Sequence, residues 1–213
     1  MKPRHNLCKT AAGRGALYNC PTSKLVERLQ DMAVRPILRL GHPVLRQVAA
    51  PVAEFGTPAL RELVHDMLET MRANDGAGLA ANQIGVPTRV VVFELATNPR
   101  YPEAEPVPLT VLVNPEIEFL GDEQESGWEG CLSVPGMRGL VPRYRRLRYR
   151  GFDELGQPLD RTVEGFHARV VQHECDHLDG ILYPQRIEDM TAFGFQDELV
   201  ASGVLPLAAA AAD

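Results

Sequence analysis

The residues best suited to chemistry are two histidines and a glutamate in the segment 172–177, which reads QHECDH and contains the pattern H-E-x-x-H. Positions i and i+4 of a helix lie on one face, so His173 and His177 can reach the same metal ion, with Glu174 beside it. Two neutral imidazoles suit zinc, iron, cobalt or nickel. A glutamate at that place can handle the proton of an activated water. The alternative is a helix whose histidines only find hydrogen-bond partners.

A catalytic metal site of this kind needs a third protein ligand and one open coordination position. Metzincin proteases use a third histidine, but the matching position in this chain is Tyr183. Thermolysin-like proteases use a downstream glutamate, a place that Glu198 would fill, although no N-E-x-x-x-D pattern supports it. Cys131, in the segment 129–133 (EGCLS), is the other candidate, because its thiolate would complete a Cys-His-His set. A lone cysteine is otherwise a small buried hydrophobe.

The elements that must position these residues follow from periodicity. Apolar residues recur at helical spacing over 60–71, and 74–76 (NDG) supplies a stop;. Strand patterns cover 89–95, 110–114 and 147–152, with Pro115, Gly121 and the turn 156–158 as punctuation. The period becomes helical again near Gly165, and a second helix is predicted over 187–199. The predicted class is α+β: short mixed or antiparallel strands packed around a central helix that carries H-E-x-x-H, with a C-terminal helix.

The two ends of the chain differ from the rest. Residues 1–31 hold six Lys or Arg and two acidic side chains, which gives this segment a net charge of +4. Since the whole chain has a net charge of −6, the rest of the chain carries −10. We expect 1–31 to be a disordered or non-native leader; a transit peptide is the alternative, because the first 26 residues lack acidic side chains;. One catalytic domain over 32–205 and a disordered tail over 206–213 complete the predicted organisation.

Composition excludes several classes. The acidic body does not suit a general nucleic-acid binder, so no DNA partner is expected. No apolar run approaches the roughly 18 residues that span a bilayer, so no membrane partner is expected. Four cysteines in 213 residues make no disulfide framework, and no apolar signal-peptide core is present, which favours a reducing, intracellular compartment;. Cys175, inside the H-E-x-x-H pattern, is predicted to pack rather than to bind metal.

Three segments stand in order along the chain: 76–83 (GAGLAANQ), 129–133 (EGCLS) and 173–177 (HECDH). The chain thereby resembles peptide deformylase, whose motifs are G-x-G-L-A-A-x-Q, E-G-C-L-S and H-E-x-D-H. The resemblance covers roughly residues 34–199. It implies a metallohydrolase that removes the formyl group from the N-terminal formyl-methionine of newly synthesised polypeptides and releases formate. A zincin-type metallo-endopeptidase using Glu198 is the competing interpretation.

The resemblance also implies cofactor, partners and roles. One divalent metal ion per chain is expected, Fe²⁺ first and Zn²⁺, Ni²⁺ or Co²⁺ as alternatives. The partners would be formylated nascent polypeptides in the cytoplasm, or in an organelle if 1–31 is a transit peptide. The implied roles are metal binding by Cys131, His173 and His177, acid/base catalysis by Glu174, contact with the carbonyl oxygen by Gln83 and the backbone N–H of Leu132, and contact with the peptide by Ala77, Gly78, Gly130, Phe166 and Val170.

Two features depart from that pattern or lie outside it. At the family's methionine-pocket positions this chain has Ala77, Gly127, Phe166 and Val170, with Trp128 next to them, so the pocket is apolar but its shape is open. Arg169 stands in the run leading to His173, where some members are apolar, and is expected to turn outward or to meet a carboxylate. The run 143–150 (RYRRLRYR) would place Arg146, Arg148 and Arg150 on one strand face;. A solvated face is the ordinary interpretation of this run, and contact with ribosomal RNA is the functional alternative.

Overall fold

The computed structural model describes residues 34–95 and 106–207. The predictions for the leader 1–31 and for most of the tail 206–213 lie outside these ranges. No helix within them is long and apolar enough to cross a membrane. The described strands are β1 (Gly78–Ala80), β2 (Val90–Leu95), β3 (Val107–Phe119), β4 (Gln124–Cys131), β5 (Val134–Tyr144), β6 (Arg146–Phe152), β7 (Pro158–Glu164) and β8 (Phe193–Phe195). The α-helices are α1 (Pro58–Ala73), α2 (Gly165–Leu178) and α3 (Gln196–Ala201), and 3₁₀ turns cover Pro43–Arg46, Ala81–Ile84, Tyr183–Arg186 and Met190–Ala192.

The strands form two antiparallel sheets. The larger has five strands in the order β1-β2-β3-β6-β7, and the smaller has three in the order β4-β5-β8. Helix α2 contacts strands of both sheets. The predicted class, a mixed α+β fold with antiparallel strands and a C-terminal helix, is confirmed.

Helix α1 forms where the sequence predicts it. Thr57 caps its N-terminus by accepting a hydrogen bond from the backbone N–H of Leu60, and Pro58 occupies the first turn, where its missing N–H costs nothing;. Its apolar face, including Met67 and Met71, packs in a core cluster with β1, β2 and β3. The helix ends at Ala73, before the predicted stop.

Helix α2 begins at Gly165, whose φ of +60° favours glycine, and it ends at Leu178;. One face, which includes Val171 and Cys175, packs in the core beside residues of the larger sheet such as Phe93. Cys175 is 6% exposed, so the packing role predicted for it is confirmed. Packing of this face holds the helix so that the neighbouring face presents its histidines away from the sheet.

Two predicted boundaries are wrong. Strand β3 does not stop at Pro115 but continues to Phe119. Its pairing with β6 shifts register between Val113 and Glu116. Pro115 lies at this irregularity, where no backbone N–H is needed for strand pairing;. The helix predicted over 187–199 is only α3, since Phe193–Phe195 is a strand that pairs with β5. Cross-strand pairing there overrides the local helical pattern.

The hairpin of β4 and β5 is one of the elements that sequence periodicity missed, together with strands β1 and β7. Its strands pair from Gln124 to Cys131, and a two-residue turn of Leu132 and Ser133 separates Cys131 from Val134. The hairpin therefore carries the cysteine to the tip of the smaller sheet, where α2 passes.

Candidate active site

The three predicted metal ligands converge. One ligand atom each from Cys131, His173 and His177 lies within 4.8 Å of the others, and Cys131 Sγ is 3.3 Å from His177 Nε2. Bond lengths of about 2.3 Å to sulfur and about 2.1 Å to nitrogen would separate such atoms by ~3.6 Å around a tetrahedral ion. The donor set and its spacing therefore fit a divalent metal with one thiolate and two imidazoles.

His173 is oriented by a carboxylate that the sequence analysis did not single out. Glu129 Oε2 lies 2.9 Å from His173 Nδ1, which turns the other ring nitrogen toward the ligand set;. Arg143 binds both oxygens of Glu129, at 2.9 Å each. Burial alone would raise the pKa of Glu129, but hydrogen bonds from Arg143 and His173 outweigh it and hold this pKa well below its usual range. Its place in the segment 129–133 was the only sequence signal.

A second carboxylate from α2 extends this network. Asp176 Oδ2 accepts from Arg143 at 2.5 Å, and Arg186 Nη2 donates to Asp176 Oδ1 at 2.7 Å. Arg143 is 5% exposed and Asp176 9% exposed, so their ion pair is shielded from solvent, whereas the Arg186 side chain is exposed;. Asp176 thereby ties the metal-binding helix to the hairpin that carries Cys131.

Glu174 is buried beside the ligand set. Burial raises its pKa to about 7, and the charge of His173 opposes this rise. Its carboxyl packs against Gly78, where a Cβ would overlap Oε1, and its Oε2 has no hydrogen-bond partner within the described part of the chain. A carboxyl that titrates near neutrality and retains an uncommitted oxygen can both accept and return a proton.

Gln83 holds its amide in a defined orientation. Its Oε1 accepts from the backbone N–H of Ala80 at 2.8 Å. Its Nε2 consequently faces Ser133 Oγ at 3.1 Å and Cys131 Sγ at 3.5 Å. The amide donor therefore points toward the ligand set, where a substrate oxygen would gain negative charge.

One cleft collects most of the remaining predicted residues. Ala77 and Gly78 lie on one side, at the edge strand β1 of the larger sheet, and Gly130 lies on the other, in β4. An edge strand offers backbone groups to which an extended peptide can pair. His177 is 1% exposed beneath the cleft. The cleft is lined by Gly76, Ala77, Gly78, Gln83, Trp128, Glu129, Gly130, Cys131, Leu132, Phe166, Arg169, Val170, His173 and Glu174.

The protease alternatives find no geometric support. Glu198 lies on α3, is exposed, and is not part of the ligand group found among the described residues. Tyr183 stacks its ring on His173, with centroids 6.1 Å apart and planes 22° apart. Neither residue supplies the third ligand.

The arginine run is largely paired. Arg145 binds Glu123 at 2.9 Å, and Arg150 binds Glu118 at 3.2 Å. Arg148 binds Asp160, and in all three pairs the arginine charge is balanced by a carboxylate at the surface. This pairing favours the solvated strand face over a free cationic surface.

Comparison with known proteins agrees with this geometry. The family model of polypeptide deformylase matches residues 34–193. Peptide deformylase 1 of Nitrosomonas europaea is 60% identical over 166 residues, 78% of this chain and 94% of the relative. Peptide deformylase 2 of Ralstonia nicotianae is 61% identical over 166 residues, which are also 78% of this chain and 94% of the relative. The class I type b peptide deformylase of Acinetobacter baumannii, solved with Met-Ala-Ser bound, matches with a TM-score of 0.70 at 40% identity, covering 72% of this chain and 98% of that chain.

Proposed function

The chain belongs to the peptide deformylase family, metal-dependent hydrolases that remove the N-formyl group from nascent polypeptides, and from this premise we propose how its own residues perform that reaction. The observation that carries the proposal is the convergence of Cys131, His173 and His177 at a cleft that the buried Glu174 also lines. These three side chains would hold one divalent metal ion. Such an ion acts as a Lewis acid and lowers the pKa of water.

Glu174 is the proposed general acid/base. In the overall reaction, water adds to the formyl carbon, the C–N bond breaks, and formate and a free amine leave. The Glu174 carboxylate takes the proton from water and delivers it to the departing amine. Its pKa of about 7 supports both halves of this transfer, because efficient proton exchange needs a group that titrates near the working pH;.

Gln83 and Leu132 are the proposed donors to the formyl oxygen. The side-chain amide of Gln83 is held by Ala80 with its NH₂ toward the ligand set, and the backbone N–H of Leu132 follows Cys131 in the hairpin turn. Donors fixed in place before reaction stabilise the negative charge that develops on this oxygen.

The peptide is proposed to bind in an extended form between β1 and β4. Ala77, Gly78 and Gly130 would contact its backbone, and Phe166 and Val170 would contact the first side chain. The Met-Ala-Ser complex of the Acinetobacter relative supports a tripeptide of this sequence as the test ligand. The chain would act on formylated nascent polypeptides in the cytoplasm, or in an organelle if residues 1–31 direct it there. Ribosome contact through 143–150 stays a prediction.

Fe²⁺ is the proposed resident ion, as the family resemblance implies, with Ni²⁺, Co²⁺ and Zn²⁺ as alternatives. A thiolate and two imidazoles suit all four, so the ligands alone do not select iron. We expect the Fe²⁺ form prepared without oxygen, or the Ni²⁺ form, to have the highest kcat/KM and the Zn²⁺ form to be slower. Air should inactivate the iron form, since both the ion and the Cys131 thiolate can be oxidised. A zinc form at least as fast would contradict this preference.

Three variants test the proposed roles together, by metal content and by formate release from formyl-Met-Ala-Ser. Cys131→Ala should lose both metal and activity, because two ligands cannot hold the ion tightly.

Glu174→Gln should keep the metal and lose at least about 100-fold in rate, as expected for a missing acid/base. Glu198→Ala should keep both. Metal loss in Glu198→Ala with full retention in Cys131→Ala would instead support the endopeptidase interpretation.

A further inference from the structure

The far wall of the side-chain pocket contains a guanidinium. Arg169 lines the cleft together with Phe166, Val170 and Trp128, and its side chain is 12% exposed. All three of these neighbours are apolar or aromatic, as a pocket for methionine requires. A charged group among them changes which side chains the pocket can hold.

Gly127 makes room for this guanidinium. A Cβ at position 127 would lie 2.7 Å from Arg169 Cζ and 2.8 Å from its Nη2, closer than real Cβ contacts allow. Gly127 and Arg169 therefore form a matched pair, in which the arginine occupies the space that a side chain on β4 would take. The departure noted from the sequence at these two positions is a single structural feature.

The hydrogen bonds of Arg169 leave it with spare donors. Nη1 donates to Glu129 Oε1 at 2.8 Å, to the Val141 carbonyl at 2.9 Å and, at 3.4 Å, to the Gly127 carbonyl. Nη2 donates to the Glu125 carbonyl at 2.6 Å. A guanidinium has five N–H groups. Within the described part of the chain, Nε donates to no acceptor. The expectation that Arg169 meets a carboxylate is confirmed by its contact with Glu129.

We propose that Arg169, admitted by Gly127, is a specificity-determining residue that gives the side-chain pocket a hydrogen-bond donor. The pocket then accepts formylated peptides whose first side chain ends in a strong acceptor, methionine sulfoxide in particular. The sulfoxide oxygen is such an acceptor, the thioether of methionine is a weak one, and norleucine has none. This inference rests on the proposed placement of the first side chain beside Phe166 and Val170.

The test compares two substrates on the same enzyme sample. The measured quantity is the ratio of kcat/KM for formyl-methionine-sulfoxide-Ala-Ser to that for formyl-norleucine-Ala-Ser, by formate release. Arg169 also binds Glu129, which holds His173, so its replacement can lower metal content or stability. Metal occupancy and the folded fraction affect both substrates equally and cancel from the ratio. A purely structural role therefore leaves the ratio unchanged.

Arg169→Met should lower the sulfoxide-to-norleucine ratio by about tenfold or more, the effect of losing a hydrogen bond from a charged donor. Gly127→Ala should lower it as well, because the added Cβ displaces the guanidinium while its charge remains. Arg169→Lys should restore part of the ratio. Arg146→Met, at an exposed position of β6 outside the cleft, is the matched control and should leave the ratio unchanged.

An unchanged ratio in both Arg169→Met and Gly127→Ala would overturn the inference. If those proteins still deformylate formyl-Met-Ala-Ser, the proposed function stands without it. Absence of formate from the wild-type protein with formyl-Met-Ala-Ser would contradict the proposed function itself, so the two failures are distinguishable.

Discussion

At the scale of single residues, two buried glutamates have surroundings that shift their pKa values in opposite directions. Glu129 is surrounded by Arg143, Arg169 and His173, and despite its burial its pKa lies well below the usual range. Glu174 is buried without such cationic hydrogen-bond donors, and its pKa rises to about 7. Environments that separate two pKa values in this way fit the proposed roles, in which Glu129 stays an anion that orients a ligand and Glu174 exchanges protons.

His167 is a partly buried titratable group that does not line the cleft. Its ring packs edge-on against Phe93, with centroids 5.6 Å apart, and lies 5.9 Å from Tyr149. Burial, and then the charge of Arg161, lowers its pKa to about 4. An unfolded histidine titrates near ~6.5, so the unfolded chain binds this proton first as pH falls. The contribution of His167 to stability is therefore complete above that pH and is lost progressively toward pH 4.

We accordingly expect His167→Phe to reduce the pH dependence of the free energy of unfolding between pH 7 and pH 4.5. The expected difference from the wild type is about 1–2 kcal/mol, since partial exposure of the ring screens part of the shift. Urea unfolding of both proteins at the two pH values measures it. Any loss of metal in acid affects both proteins and cancels from the comparison. Equal pH dependence in the two proteins would show that His167 is not held neutral.

At the scale of elements, the helices and the strands of the larger sheet were predictable where the pattern is local. The spacing over 60–71 and the change of period at Gly165 both correspond to helices. The hairpin of β4 and β5 was not predictable in this way, because its glycines, among them Gly127 and Gly139, interrupt the alternation of apolar and polar residues that marks a strand. The strand β8 was mistaken for helix, since only its pairing with β5, which is far away in sequence, makes it extended;.

The end of α2 is an element boundary that the fold depends on. Gly180 has a φ of +74°, and a Cβ there would lie 2.7 Å from the carbonyl oxygen of Arg46. The segment after the 3₁₀ turn Pro43–Arg46 is joined to the same helix end by a 2.7 Å hydrogen bond from the N–H of Ala49 to the carbonyl of Leu178. Close backbone contact here fixes the N-terminal segment against the metal-binding helix.

Gly180→Ala should therefore destabilise the protein by about 1–3 kcal/mol more than Gly203→Ala. Gly203 has the same φ of +74° but nothing within 4 Å of its Cβ position, so it carries the same backbone strain without the collision. Thermal or urea unfolding of the two variants isolates the effect of the contact with Arg46. Equal losses of stability in the two variants would mean that the backbone at Arg46 moves aside at no cost in free energy.

At the scale of the whole molecule, the site is assembled from three segments that are distant along the chain. Resemblance to a family brought Cys131, Gln83 and the histidines to attention. In the structure Cys131, Gln83 and His173 line one cleft, and His177 lies within 4.8 Å of the other two ligand atoms. The support from Arg143 and Arg186 was not predictable, because ion pairs between β5, α2 and a 3₁₀ turn depend on packing that no local pattern encodes. The roles of the individual site residues stay predictions until variants are measured.

Family membership and this geometry lead to one central claim: the cleft hydrolyses the formyl amide at a peptide N-terminus and leaves peptide bonds intact. The most direct test is to incubate metal-loaded protein with formyl-Met-Ala-Ser and to identify every product by formate assay and mass spectrometry. The account predicts one formate for each free Met-Ala-Ser, with no shorter fragment. Release of formyl-Met or Ala-Ser, or no turnover by folded protein with full metal occupancy, would contradict it.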